Sequence, residues 1–268
     1  MAITDPDIYE IDEHQGIGIF VPGALVEREV DGNRLFRVLL LTGAGFALVI
    51  AITFVLIIFL FAAGLIVIDY VSFAIFFTPW AFLILSIASL GFIVPPIFDA
   101  KRRGMPLGDI GIKSDSPVVD VLLGLLVGGV MLGLNFIITY IINTTIGIPD
   151  DGAGDMFLAS DPMELVAWVG VMFVVVGFSE ELIFRGFLQR RMEIYFRPKN
   201  KNYRFWTLVI TSFIFAAVHL DLIGLPVRFM LGVFLGYLAQ KRKYSILGPT
   251  VAHGFNNAAV VILTSMGF

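Results

Sequence analysis

A few residues suited to proton transfer stand in stretches that are otherwise apolar. Glu180 and Glu181 lie among Phe178, Leu182, Ile183, Phe184 and Phe187, with Arg185 four residues after Glu181. His219 closes the run Phe215-Ala216-Ala217-Val218-His219, and His253-Gly254-Phe255-Asn256-Asn257 sets a second histidine four residues before an asparagine. A carboxylate, two imidazoles and an amide are what activation of a water and donation to a developing oxyanion require. Each cluster alone has a plainer reading: a helix-end ion pair, an interfacial histidine, or hydrogen bonding between helices. Three such clusters in one chain favour a single site. The same Glu180, His219 and His253 also make up a His2Glu set suited to zinc with an open fourth position. No His-Glu-x-x-His pre-positions a ligand pair, so no metal or other cofactor is expected, and zinc is the alternative.

Helices must present these groups. Successive helical residues turn by about 100°, so Glu180 and Glu181 are expected to face different partners, with Glu181 pairing to Arg185 one turn on. His253 and Asn257, also one turn apart, share a face.

The composition says where the helices lie. Of 268 residues, 58% are hydrophobic and 15% charged, with 26 Phe, against about 25% charged in soluble domains. Too little polar surface remains to coat a water-soluble globule, and a nucleic-acid binder is excluded. There is no Cys, hence no thiol nucleophile, disulfide or cysteine metal site. Uncharged runs at Val38–Ile68, Tyr70–Phe98 and Val121–Pro149 each exceed the ~20 residues that cross a bilayer core. Leu165–Ser179, Phe205–Leu220, Leu222–Gln240 (interrupted by Arg228) and Tyr244–Phe268 follow. None alternates with a period of two, which favours helices over a β-barrel. The expectation is an all-α polytopic transmembrane bundle of about seven spans. Gly124, Gly128, Gly129 and Gly133, and Gly232 with Gly236, stand at helix-contact spacing.

Sixteen of the 18 Lys and Arg fall in alternate polar stretches, Arg185 and Arg228 being the two left inside spans. The positive-inside rule then sets the N-terminus in the cytoplasm, in a multi-pass protein of the cell membrane. Glu180 falls near the cytoplasmic end of its span. Three parts are expected: a polar tail at 1–34 without the apolar core of a signal peptide, two spans with a basic loop at 35–115, and the membrane core at 116–268. Gly152-Ala153-Gly154-Asp155 imitates the Gly-x-Gly-Asp of aspartyl intramembrane proteases but reads as a turn in an acidic loop. Asn135 and Arg228 read as packing or snorkelling residues.

Over roughly residues 120–268 the chain resembles the CPBP family, which includes the type II CAAX prenyl endopeptidases. Glu-Glu-x-x-x-Arg (Glu180, Glu181, Arg185), Phe-x-x-x-His (Phe215, His219) and His-x-x-x-Asn (His253, Asn257) occur in order and with the right internal spacing. The resemblance implies an intramembrane endopeptidase in which Glu180 and His219 activate water. His253 and Asn257 would steady the oxyanion, and Glu181 and Arg185 would hold the helix. It implies a peptide or lipid-modified protein as substrate, met in the bilayer near the cytoplasmic face. A non-catalytic scaffold, immunity or transport protein of the same fold is the alternative.

Overall fold

The computed structural model describes residues 30–70, 75–146 and 158–267. The polar tail with His14 and the Gly152–Asp155 turn lie outside these residues. Seven helical bodies follow one another: α1 Gly32–Ala62, α2 Trp80–Arg103, α3 Pro117–Ile146, α4 Pro162–Phe196, α5 Tyr203–Ala217, α6 Leu225–Lys241 and α7 Leu247–Ser265. The chain is a helical membrane protein. α1 to α4 are each long and apolar enough to cross a bilayer. α1 exposes Phe54, Val55, Ile58 and Phe59, as a lipid-facing helix must.

One short antiparallel ribbon departs from the all-helical expectation. β1 (Ile66–Ile68) pairs with β2 (Ile75–Phe77), taking up the β-branched and aromatic residues at the junction of the first two runs. The second span therefore starts at Trp80 rather than Tyr70. Asp31 caps α1, accepting from the Arg34 amide at 2.6 Å, and Asp161 caps α4 through the amides of Met163 and Glu164.

Small residues set the packing. α7 lies along α3 in the same direction. A methyl on Gly124 would meet Gly248 O at 2.6 Å, and one on Gly128 would meet Ala252 O at 2.9 Å. Gly129 and Gly133, which share the spacing, face open space. α6 lies along α5, with Gly232 against Ser212. At Gly186 the added methyl would run into the carbonyl of Ile110, a backbone atom that cannot swing aside. Gly186→Ala should therefore cost about 1–3 kcal/mol, read as a lower thermal unfolding midpoint in detergent.

Part of the basic end of the bundle is buried in ion pairs and hydrogen bonds, while Lys101, Arg102, Lys113, Lys199, Lys201 and Lys241 are exposed. Arg34 pairs with Asp99 at 2.6 Å, and both are buried. Arg242 pairs with Asp120, which also accepts from Ser245 Oγ at 2.8 Å. Glu193 accepts from Arg204 at 3.1 Å, from Gln240 at 2.8 Å and from the Tyr244 hydroxyl. Burial and that neighbouring carboxylate push the Tyr244 phenol well above its ordinary pKa, so it stays a neutral donor. Arg190 and Arg191, expected in a loop after the fourth span, lie buried within α4. Arg191 donates to Gly186 O at 2.7 Å, and Arg190 to Asp109 O. Helix continues through them because the turn at 107–111 supplies carbonyls that stand in for water.

Candidate active site

That continuation moves the site. Glu180 lies near the middle of the 35-residue α4, roughly 24 Å of helix from Phe196 at 1.5 Å per residue. A helix of this length exceeds the ~30 Å core of a bilayer and runs on past the apolar run Leu165–Ser179 toward the basic end. A single α-turn, Phe178–Glu181, carries both glutamates between two π-helical stretches, Met172–Gly177 and Leu182–Gln189. Such widened turns redirect side chains and recur at functional sites. Gly177 admits α7 here, since a methyl would touch Thr250 O at 3.1 Å and Gly254 N at 3.3 Å.

Glu181 is fully buried and acts as a hub. Its Oε1 accepts from Arg185 at 2.7 Å and from His253 Nδ1 at 2.9 Å. The far edge of the same imidazole faces Glu180, with Nε2 3.9 Å from Oε2. Adjacent glutamates were expected to have different partners, yet His253 reaches both, because the ring has a nitrogen on each side and inserts between them. A gap of 3.9 Å is too long for a direct hydrogen bond but suits one water bonded to both groups. Glu180 Oε2 has no hydrogen-bond partner among the described residues.

His219 lies just past the end of α5. Its Nδ1 sits 2.7 Å from Phe215 O. A carbonyl only accepts, so Nδ1 carries the hydrogen and Nε2 of the neutral ring keeps its lone pair. Phe215 supports three polar groups at once. The Arg185 guanidinium stacks 4.4 Å over its ring, and the rings of His219 and His253 meet it edge-on at 5.2 and 5.9 Å. Sequence reading saw Phe215 only as a motif position. Asn256, also passed over, donates to Asn257 Oδ1 at 3.2 Å, leaving the Asn257 NH2 available.

Glu180, His219, His253 and Asn257 all line one cavity of about 470 Å³, within the ~300–1,000 Å³ usual for ligand sites. Glu181 and Arg185 lie behind it and do not line it. On α4 the lining residues are Met172, Val176 and Glu180, and on α7 they run from His253 to Val261. The cavity thus extends from Glu180 away from the basic end, toward the end where the Ala159 amide bonds Ser265 Oγ at 3.0 Å. Asn135 and Arg228, read as packing or snorkelling residues, line it too. Among the described residues, no three His, Asp or Glu side chains are grouped as a metal ion would require.

The family model for type II CAAX prenyl endopeptidase Rce1-like proteins matches residues 162–259. This segment is similar to that family. The Rce1-like segment runs from the start of α4 into α7 and contains every residue of the three motifs, while α1–α3 fall outside it. At family level the match supports a CAAX-protease-like intramembrane peptidase. No curated protein and no solved structure matches the chain.

Proposed function

We propose that this protein is a glutamate-type intramembrane endopeptidase that hydrolyses a lipid-anchored or membrane-associated peptide, with no metal. The observation supporting this most directly is the convergence of Glu180, His219, His253 and Asn257, from three helices, on one cavity. A water held between Glu180 and His219 gives up a proton as its oxygen attacks the scissile carbonyl carbon. Either Glu180 or the free Nε2 of His219 accepts that proton. The oxyanion takes hydrogen bonds from Asn257 Nδ2 and His253 Nε2. His253 must be protonated to donate there. Glu180, Glu181, Arg185 and an imidazolium together sum to zero charge, so the buried cluster carries no net charge in that state. The proton then passes to the leaving nitrogen, the C–N bond breaks, and a carboxylate and an amine leave.

Asn257→Ala removes one oxyanion donor and should lower kcat about 10²–10³-fold with little change in KM. Steady-state kinetics on a cleavable peptide measures this. A stoichiometric transition metal in active protein, with activity lost on chelation and restored by the metal, would replace this mechanism with a zinc one.

The sixteen basic residues in alternate polar stretches of the sequence favour an N-terminus in the cytoplasm of a cell-membrane protein. Cleavage then takes place in a cavity that extends from Glu180 toward the half of the bundle away from the basic end. The substrate class is tested with purified protein in detergent and three peptides: farnesylated CAAX, its unlipidated form, and an apolar helical peptide. Mass spectrometry should show the lipidated or the apolar helical peptide cut and the soluble form spared. Equal cutting of the soluble form would contradict the membrane-substrate reading.

A further inference from the structure

α5 and α6 are short, 15 and 17 residues, and the turn between them lies level with the glutamates. Arg185 Nη2 reaches Gly232 O at 3.3 Å, and Gln189 Nε2 reaches Gly236 O at 3.1 Å. Continuing that register sets the start of α6 level with the glutamates and the turn at 219–224 beside the middle of α4. Leu220 and Leu222, 91% and 85% exposed, project from this turn. The turn and the start of α6 line a cavity: His219, Asp221, Gly224, Val227 and Arg228 all line the one holding Glu180.

Arg228 is the only lysine or arginine among the described lining residues. Its Nη1 pairs with Asp221 Oδ2. Asp221 Oδ1 is already committed to the amides of Ile223, at 3.0 Å, and Gly224, at 2.9 Å. Gly224 leaves room for the pair, because a side chain there would collide with both charged groups. No described residue accepts from Arg228 Nε or Nη2. The guanidinium thus keeps a two-donor edge, in the cavity, that fits a carboxylate bidentately. Arg228 and Asp221 are 31% and 42% exposed, so this edge lies on the open side of the cavity, where an incoming ligand can reach it.

We infer that Arg228 is a specificity residue that receives the free C-terminal carboxylate of the peptide substrate, while Glu180 and His219 address a bond a short distance upstream. This rests on the peptidase reading and narrows it to cleavage near a chain end. Asp221 keeps the guanidinium in place between substrates.

The test pairs two peptides that differ only in a C-terminal carboxylate or carboxamide. Each is farnesylated and fluorescent, with the scissile amide reduced so that binding is read without cleavage. Anisotropy in detergent should show the wild-type protein binding the acid about 10–100-fold more tightly than the amide, the size of a hydrogen-bonded charge interaction. Arg228→Gln should abolish that ratio and leave amide binding unchanged, and Arg228→Lys should restore part of it. If Arg228→Gln does not fold, Asp221→Asn, which frees the guanidinium, should keep or raise the ratio. Equal binding of acid and amide by the wild type overturns the inference. So does a ratio that survives Arg228→Gln, an equal weakening of both forms, or a ratio lost in Asp221→Asn. Cleavable versions of the peptides separate the two readings: acid-selective binding without hydrolysis removes the peptidase and keeps the carboxylate site. Hydrolysis of acid and amide alike does the reverse.

Discussion

Glu180→Gln should abolish peptide hydrolysis, lowering kcat by about 10²–10⁴-fold, the usual contribution of a general base. Glutamine keeps the size and polarity of the side chain but cannot take a proton from water. Glu180 has no hydrogen bond to lose at Oε2, so the variant should extract in detergent and unfold at close to the wild-type temperature. Single-turnover kinetics beside a thermal melt reads both quantities. Near wild-type turnover by the glutamine variant would remove Glu180 from the chemistry.

Arg185→Ala should have its largest effect on stability. Arg185 is 2% exposed and Glu181 0% exposed in their ion pair, and removing one partner of a buried pair costs about 3–5 kcal/mol. The loss extends past the pair, because Arg185 also donates to Gly232 O on α6 and stacks on Phe215 of α5. Arg185→Lys should recover only part of the stability, since an ammonium lacks the second arm and the flat face. Yield of folded protein and the thermal midpoint measure the effect. An alanine variant as stable as wild type, with turnover alone lost, would move Arg185 from support to chemistry.

The helical bundle was legible because a membrane helix carries its signal in composition: seven apolar runs correspond to seven helical bodies. The Glu181–Arg185 pair was legible too, since spacing of four on a helix dictates contact. Depth was not. Arg190 and Arg191 look like loop charges in one dimension, and only the Asp109 carbonyl of the 107–111 turn, far off in sequence, which accepts from both, reveals them as buried helix. The double engagement of His253 was hidden for a related reason. A rule about angles between adjacent side chains says nothing of a ring from another helix that fits between them. Arg228 passed as a snorkelling residue because its partner Asp221 is seven residues away across a turn, a separation that helical periodicity does not flag.

Direct attack on the scissile carbonyl by a water activated at Glu180 is tested most closely by isotope. Wild-type protein is incubated with a farnesylated CAAX peptide in water enriched in oxygen-18, and the fragments are weighed by mass spectrometry after a single turnover. Release of an intact C-terminal fragment, with one oxygen-18 atom in the newly formed carboxylate and no product from the Glu180→Gln variant, is the expected result. An uncut peptide, or equal product from both proteins, would contradict it.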